Sequence, residues 1–270
     1  MTVLTLAEKQ SESLRVLRVL VEYCDRHALT YYAAYGTLLG AVRHGGPIPW
    51  DDDIDVIMPR PDYDLLVECF NNEHPDDTKL LAPGDEDYPI QFAKVVSLRT
   101  AMAERNALFP PDYGVFVDVF PLDGLPRIFA APYKFICNAL ARTSLYSYGL
   151  IDEAAPDHSL KSRIRHSVGK TGRLLPRDTY TKLLNRVVRM FDYEKARSVA
   201  VLTSPWPLRK ERINKSQLRN PKGYLFSDLS IRSFAEPESI LEKYYGSDWR
   251  IPIRREQASH GEARWIEDNR

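Results

Sequence analysis

The sequence predicts an α/β protein of the α+β type, in which a small mixed sheet is flanked by helices and followed by a mainly helical C-terminal half. Short apolar runs with the period of a half-buried strand recur between segments with helical spacing. After Pro126 aromatic and apolar residues recur at helical spacing instead. A chain of 270 residues, 44% of them hydrophobic, can bury one large domain or a core with an accessory lobe.

The composition excludes several classes of protein. The chain has 37 basic and 37 acidic residues, so its charge gives no global preference for nucleic acid or membranes. Its three cysteines, Cys24, Cys69 and Cys137, lie far apart without a CxxC pair, which suggests neither a disulfide framework nor a zinc site and suits a reducing cytosol. No uninterrupted run of about 18 apolar residues occurs. We therefore expect a soluble protein without a transmembrane segment.

The N-terminal part predicts helix, strand, turn and helix in that order. Apolar residues between Thr5 and His27 recur every three or four positions with charges between them, as in an amphipathic helix. The apolar run 31–35 predicts a strand, Gly36 and Thr37 form the turn, and the next apolar residues begin a second helix. Backbone N–H groups at such a helix start suit an anion such as phosphate.

Four aspartates crowd the segment that follows. Adjacent carboxylates repel, and aspartate forms helices and strands poorly, so we expect a cation to compensate them. Because side chains alternate across a strand, Asp53 and Asp55 share one face while Ile54 and Val56 enter the core. Two carboxylates on one strand suit a hard divalent ion. The segment therefore predicts a metal site.

The chain between this strand and the next isolated acid predicts four segments. They are a helix over Asp62–Asn71, a loop over Asn71–Asp87, a strand over Gln91–Ser97 that carries Lys94, and a hairpin partner over Thr100–Glu104.

A third acid lies in the run 115–120, where alternation places Asp118 between two phenylalanines on one face, with three valines on the other. An unpaired carboxylate would be costly to bury there, so Asp118 should reach a metal, a cation or water. Three carboxylates from neighbouring strands can hold magnesium and neutralise phosphate. The alternative is a locally satisfied edge-strand residue. Asp123, beside Gly124, predicts ordinary turn chemistry.

Several side chains around the acidic segment allow two interpretations. Arg43 follows the short helix and either makes a bidentate phosphate contact or interacts with the helix dipole. His44 either contacts phosphate or hydrogen-bonds within its loop. Asp51 either supports the metal ligands or pairs with Arg43, whereas Asp52 is structural. Trp50 packs over the acidic strand.

The second half predicts fewer functional residues. A buried helix is expected over Ile128–Gly149, with a domain boundary near Ile151–His158 that separates residues 1–150 from residues 151–270. The basic stretch Lys161–Arg189 is either a solvated helix face or a basic wall that attracts a nucleotide, an anionic glycan or a membrane. We expect the second region to handle the acceptor.

Three motifs in chain order carry a resemblance to a known family. Residues 35–56 are YGTLLGAVRHGGPIPWDDDIDV, residues 114–126 are GVFVDVFPLDGLP, and residues 244–252 are YYGSDWRIP. The first motif closely resembles the signature of the LicD family of phosphotransferases, and the fukutin-related sugar-phosphate transferases share its pattern. The three motifs together cover about the first half of the chain and a short tail.

The resemblance implies a nucleotidyltransferase-like core in which Asp53, Asp55 and Asp118 are the catalytic carboxylates and bind Mg²⁺ or Mn²⁺. It places Lys94 near the donor phosphates. The other substrate-binding residues of this interpretation are Gly36, Thr37, Arg43 and His44. The C-terminal motif is expected to return to the core.

The resemblance also implies an activity: transfer of a substituted phosphate, such as phosphocholine, from a CDP-linked donor to a hydroxyl of a glycan such as lipopolysaccharide or teichoic acid, with release of CMP. We expect a cytoplasmic protein that binds no nucleic acid, and peripheral contact with the inner membrane surface stays open. Two alternatives remain, a nucleotidyltransferase that releases pyrophosphate and a non-catalytic binding module. The sequence leaves the head group, acceptor, metal and oligomeric state open.

Overall fold

The computed structural model describes residues 2–73, 77–86, 88–104, 113–148, 176–253 and 261–266. Seven α-helices lie in these ranges: α1 Leu6–Arg26, α2 Tyr35–His44, α3 Arg60–Glu73, α4 Ala130–Ser147, α5 Arg177–Val187, α6 Leu208–Glu211 and α7 Pro237–Tyr245. The strands are β1 Tyr32–Ala33, β2 Asp55–Pro59, β3 Thr78–Leu81, β4 Ala93–Ser97, β5 Thr100–Glu104, β6 Phe116–Gly124, β7 Ser198–Ala200, β8 Ile213–Asn214, β9 Lys222–Phe226, β10 Leu229–Ser233 and β11 Gly261–Trp265.

A mixed sheet forms the centre of the molecule, which confirms the predicted α+β class. Its strand order is β1-β2-β6-β4-β3, with β7 and β8 continuing from β6. Only the β2–β6 pair is parallel among the described pairings of this sheet. Asp55 and Asp118 are register partners in that pair. The two acidic segments therefore lie on neighbouring strands, as their patterns predict.

Helix α1 confirms the predicted amphipathic helix between Thr5 and His27. Thr5 is its N-cap and forms a capping box with Glu8, and His27 is its C-cap. The buried residues Leu17 and Leu20 face strands β4 and β6. This face packs with the core side of the sheet, where Ile54 and Val56 are also buried, in one hydrophobic cluster.

Two predictions about the sheet edges are wrong. The segment Asn71–Asp87 was expected to be a loop but contains strand β3, whose Leu80 exchanges two hydrogen bonds of 2.8 Å with the Asn71 side chain. Strand β5 was expected to pair with β4, yet it pairs with β11. Strand β4 already has β3 and β6 on its two sides, so no edge remains for a hairpin partner.

Asp123 is not the turn residue that its neighbours suggest. It lies inside β6, is 1% exposed, and accepts two hydrogen bonds from Arg60, at 2.6 Å from Nε and 3.0 Å from Nη2. Burial raises the pKa of the Asp123 carboxyl, and the Arg60 guanidinium opposes this shift. The Pro-Leu-Asp-Gly sequence therefore continues a strand because a buried arginine from α3 compensates the acid.

The buried helix predicted over Ile128–Gly149 is only partly buried. It forms as α4, and Tyr133 and Cys137 face inward, but Phe129 and Ile136 are exposed. The predicted boundary 151–158 and most of the basic stretch lie outside the described residues. The described C-terminal part holds three α-helices and five strands, so it contains more strand than the mainly helical half we predict.

The C-terminal segment shares a hydrophobic cluster with the sheet. Leu38 and Ile57 pack there with Val199, Ile240 and Trp249. Trp249 is 6% exposed, so the last motif lies against the helix that follows β1. None of the helices in the described ranges combines the length and apolar character needed to cross a bilayer.

Candidate active site

The acidic segment opens into a cavity of about 620 Å³. One part of its wall is acidic and includes Asp51, Asp53 and Asp55. The rest is unusually rich in aromatic side chains, which are Tyr35, Trp50, Phe92, Phe120, Trp206, Tyr245 and Trp249. Residues from both halves of the chain therefore line one cavity.

The start of β2 positions the acidic wall. Asp55 is the first strand residue, whereas Asp53 lies in the loop just before it, so the strand begins two residues later than predicted. The backbone N–H of Asp118 donates to the carbonyl of Ile54 at 2.8 Å, and that of Ala34 donates to the carbonyl of Asp55 at 3.1 Å. Both flanking strands thus fix the backbone of the acidic segment.

Asp55 is held in an environment that disfavours its charge. Burial raises the pKa of its carboxyl well above the usual value, and the charges of Asp53, Asp118 and Asp51 raise this pKa further. The Lys94 ammonium lowers the pKa but does not cancel these effects. A cation placed between these carboxylates would relieve the repulsion.

Asp118 lies beside Asp55 in the sheet but does not line the cavity. It is 8% exposed, and its Oδ1 accepts a hydrogen bond of 2.6 Å from Lys94 Nζ. The Lys94 ammonium is itself buried and lies 3.3 Å from the ring centre of Phe116. The structure thus brings two predicted site residues, Asp118 and Lys94, into direct contact behind the cavity wall.

Gly36 and Thr37 lie in the first turn of α2, which begins at Tyr35, so the prediction that they form a turn before the helix is wrong. The buried Thr37 hydroxyl accepts a hydrogen bond of 2.7 Å from the Asp55 N–H and does not line the cavity. Gly36 does line it, and a Cβ at this position would stand 2.8 Å from Asp51 Oδ2. Asp51 therefore packs closely over the helix start.

Arg43 lines the cavity and also anchors the C-terminal motif. Its Nη1 donates to the carbonyl of Trp249 at 2.9 Å, and its Nε donates to Nε2 of His44 at 2.9 Å. Burial and the adjacent guanidinium lower the pKa of the His44 ring. Arg43 and His44 form the last turn of α2 rather than following it, and His44 is exposed and does not line the cavity.

Sequence reasoning missed a buried polar cluster beside the cavity. Tyr35 has a positive φ of 44° and donates from its hydroxyl to Glu211 at 2.9 Å. The Ser204 hydroxyl donates to the same carboxylate, which is 1% exposed, and burial raises the pKa of Glu211. The sequence predicts a turn at Pro205-Trp206-Pro207, next to this cluster, but no local pattern identifies Glu211.

The donor set fits a divalent metal ion in its chemistry. Asp53 and Asp55 supply the hard carboxylate oxygens that Mg²⁺ and Mn²⁺ prefer, and burial together with the charge of Asp53 raises the pKa of Asp55. Within the described residues, no group of three or more His, Cys, Asp or Glu side chains is already gathered closely enough to hold an ion. A pair of carboxylates completed by substrate oxygens is the arrangement that these residues fit.

The comparisons with known proteins find similarity in the part of the chain that carries the acidic wall. Residues 28–121, which carry β1, α2, β2 and most of β6, match the family model described as LicD/FKTN/FKRP, nucleotidyltransferase domain. This part of the chain is therefore similar to a nucleotidyltransferase domain. This match agrees with the resemblance to the LicD family found in the sequence.

Two relatives define the extent of the similarity. The chain is 36% identical over 126 residues to a lipopolysaccharide cholinephosphotransferase LicD of Haemophilus influenzae, over 46% of each chain. It is 42% identical over 52 residues to an uncharacterized protein of Rickettsia typhi, over 19% of this chain and 17% of that protein. The matched segment is thus less than half of either relative.

Proposed function

We propose that this protein is a metal-dependent transferase that moves phosphocholine, or a closely similar substituted phosphate, from a CDP-linked donor to a hydroxyl of a glycan, with release of CMP. One observation carries the proposal: carboxylates and aromatic rings line the same cavity. The Haemophilus relative is named as a cholinephosphotransferase acting on lipopolysaccharide. The proposal extends that chemistry to this chain.

The aromatic wall supports a cationic head group. A quaternary ammonium is attracted to aromatic faces and cannot donate hydrogen bonds, so rings recognise it better than polar side chains do. Phe120 and Tyr245 lie on the cavity wall together with Asp51, Asp53 and Asp55. Burial, together with Asp55, Asp51 and Asp53, raises the pKa of Tyr245, which places this ring within the field of the carboxylates. A head group carrying positive charge would lie favourably between them.

The acidic residues would bind the donor diphosphate through a metal ion. We assign Asp53 and Asp55 as ligands of Mg²⁺ or Mn²⁺ and keep Asp118 as the third carboxylate of the site. The ion, when bound, neutralises the diphosphate and the charge that develops on the leaving CMP. Thr37 fixes the backbone of Asp55, so this strand presents its carboxylate in one place.

The transfer itself needs one proton acceptor and one leaving group. The acceptor hydroxyl oxygen attacks the phosphorus that carries the head group, the bond from this phosphorus to the bridging oxygen breaks, and CMP leaves with the electron pair. We assign the hydroxyl proton to Asp118, whose Oδ1 contacts Lys94 and whose register partner Asp55 lines the cavity. Gly36 and Arg43 line the cavity where the phosphates would lie, and Arg43 suits bidentate contact. We keep His44 as a neighbouring loop contact.

We further propose a cytoplasmic location at the inner membrane surface, where glycan acceptors carried on lipids are accessible. Cys24, Cys69 and Cys137 are all free thiols, which suits a reducing compartment.

Release of CMP from a panel of donors tests the proposal. CDP-choline, CDP-ethanolamine, CDP-glycerol and CDP-ribitol would be incubated with a glycan acceptor, with and without Mg²⁺ or Mn²⁺. We expect CMP release that requires the metal and is greatest with CDP-choline. Asp53→Asn should abolish it, whereas Asp228→Asn, which alters an exposed acid paired with Arg18, should leave it unchanged.

Other outcomes would separate the alternatives. Release of pyrophosphate from a nucleoside triphosphate, with no CMP from any donor, would replace the proposal by nucleotidyl transfer. Binding of CDP-choline without turnover in the presence of both metals would indicate a binding module.

A further inference from the structure

The outer face of α4, with the turn before it, exposes large apolar side chains. Ile128 is 70% exposed, Phe129 75%, Phe135 74% and Ile136 51%. Pro132 is also exposed, so the positions 128–129, 132 and 135–136 follow one another at helical spacing. The opposite side of α4 buries Tyr133 against the protein, so this outer face is a separate surface, here called the α4 face.

The backbone at the start of the α4 face is strained. Phe129 has φ 64° and ψ 23°, a left-handed conformation that a bulky residue rarely adopts. Such a conformation typically costs about 1–3 kcal/mol and persists only where the surrounding structure imposes it. Here it accompanies an aromatic ring that lies almost fully in solvent, so packing of this ring does not account for the strain.

The charge of the α4 face has one sign. The chain contains no aspartate or glutamate from Leu125 to Tyr148, and Arg127 and Arg142 are exposed at its two ends. Lys134 does not contribute, because its buried ammonium donates to the carbonyls of Val201 and Ser204 at 3.0 and 2.8 Å. The face is therefore apolar with basic ends.

A cationic hollow adjoins the α4 face. It measures about 510 Å³ and begins at Ala131 in the first turn of α4. Arg209, Arg212 and Lys243 line it, and none of the described lining residues is acidic. The first two are exposed, and Lys243 donates to the carbonyl of Arg212 at 2.6 Å. Apolar and cationic surfaces thus meet at one residue.

We propose that the α4 face and this hollow dock on an anionic lipid bilayer. The rings of Phe129 and Phe135 would enter the interface between head groups and acyl chains, while Arg209 and Arg212 contact lipid phosphates. A protein partner or a second copy would need acids to match the hollow, whereas an anionic membrane supplies both complementary surfaces. The inference goes beyond the proposed transfer, because it concerns a surface that contains none of the catalytic residues.

The position of this surface relates it to the cavity. Helix α6 carries Arg209 and directly follows the segment 203–206, which lines the cavity. Docking through α6 would therefore bring the cavity wall near the membrane, where hydroxyl groups of a lipid-linked glycan are concentrated.

Vesicle co-sedimentation of the full chain tests the proposal. Large unilamellar vesicles of equimolar phosphatidylglycerol and phosphatidylcholine would be compared with vesicles of phosphatidylcholine alone, at about 0.1 M salt. We expect the unchanged protein to bind the anionic vesicles. The variant Phe129→Asn/Phe135→Gln should bind them at least about tenfold more weakly, because each ring removed takes apolar area out of the interface. Asparagine tolerates the left-handed backbone, so the variant should fold.

Two controls make the result specific. The matched variant Leu65→Gln/Leu225→Gln removes two side chains that are 50% and 64% exposed on α3 and β9, and should bind as the unchanged protein does. The variant Arg209→Gln/Arg212→Gln should lose binding to the anionic vesicles, while an unchanged circular dichroism spectrum shows that it folds. No donor or acceptor is present, so failure of the proposed transfer would not alter this assay.

Three results would overturn the proposal. The first is that the protein sediments equally with both vesicle types, or with neither. The second is that the Leu65→Gln/Leu225→Gln control loses as much vesicle binding as Phe129→Asn/Phe135→Gln does. The third is a dimer in light scattering that Phe129→Asn/Phe135→Gln converts to a monomer. The last result would identify the α4 face as a contact between two copies of the chain.

Discussion

Asp55 and Asp118 lie opposite each other in register on the parallel strands β2 and β6. Parallel pairing makes neighbours of two acids that are distant in the chain, and burial raises the pKa of Asp55 well above its usual value. Keeping these carboxylates together in the folded state thus lowers the stability of the protein, and a bound cation can offset this loss.

Asp55→Asn should abolish metal-dependent CMP release and make the metal-free protein more stable at neutral pH. The amide keeps the shape of the side chain and removes its charge from a site where Asp53 and Asp118 repel it. We expect a rise in Tm of roughly 2–4 °C, which corresponds to about 1 kcal/mol for a protein of this size. Thermal unfolding in the presence of a chelator measures this difference in Tm. A lower Tm for the variant would contradict repulsion among the three carboxylates.

The same carboxyl sets a pH dependence of stability. Because the pKa of Asp55 is higher in the folded than in the unfolded state, the folded state binds more protons between these two values. The free energy of unfolding therefore falls as pH rises from about 4, the ordinary value, to the raised pKa. The difference between Asp55→Asn and the unchanged protein should grow over this interval and shrink when Mg²⁺ is added. Urea titrations at several pH values measure it.

Phe120→Leu should weaken binding of CDP-choline more than that of CDP-glycerol. Leucine fills part of the volume but has no aromatic face, and a cation–π contact contributes roughly 0.5–2 kcal/mol, or about 2–30-fold in Kd. Phe191→Leu, which alters a ring packed on Tyr133 outside the cavity, is the matched control. Calorimetric titration with both donors measures Kd, and equal weakening for the two donors would argue against recognition of the positive charge.

Gly36→Ala should impair activity with little loss of stability. The added Cβ would stand 2.8 Å from Asp51 Oδ2, so the carboxylate must move, while alanine itself favours the helix. Gly40→Ala gives the contrast, because its Cβ would stand 2.5 Å from the backbone carbonyl oxygen of Gly46, which cannot move alone. Activity and Tm measured together should separate the two variants. A greater loss of Tm in Gly36→Ala than in Gly40→Ala would refute the assignment of Gly36 to the substrate-binding site.

Arg60→Ala should destabilise the fold by about 3–5 kcal/mol, because it leaves the carboxylate of Asp123 buried and unpaired. Arg189→Ala is the matched control, since Arg189 pairs with Asp64 at 2.9 Å where both side chains are 41% exposed. Such an exposed pair contributes less than about 1 kcal/mol. Urea unfolding measures both, and similar losses would contradict the structural role of Asp123.

The sequence alone determined the elements whose signals are local. The Thr5 capping box and the helical period define α1, and alternation places Ile54 and Val56 in the core with acids on the other face. The motif over residues 35–56 carries the resemblance to the LicD family, because its glycines, aspartates and spacing occur within one short segment. These features depend on neighbours a few positions apart.

Only the tertiary structure decided which distant residues meet. It pairs β5 with β11, joins Arg60 to Asp123 and Lys94 to Asp118, and closes the cavity with Trp206 and Trp249 from the second half. The period of a strand states which face is buried but not which strand lies beside it. Sheet order and burial set the partners of these acids and raise the pKa of Asp123, and neither is encoded in local spacing.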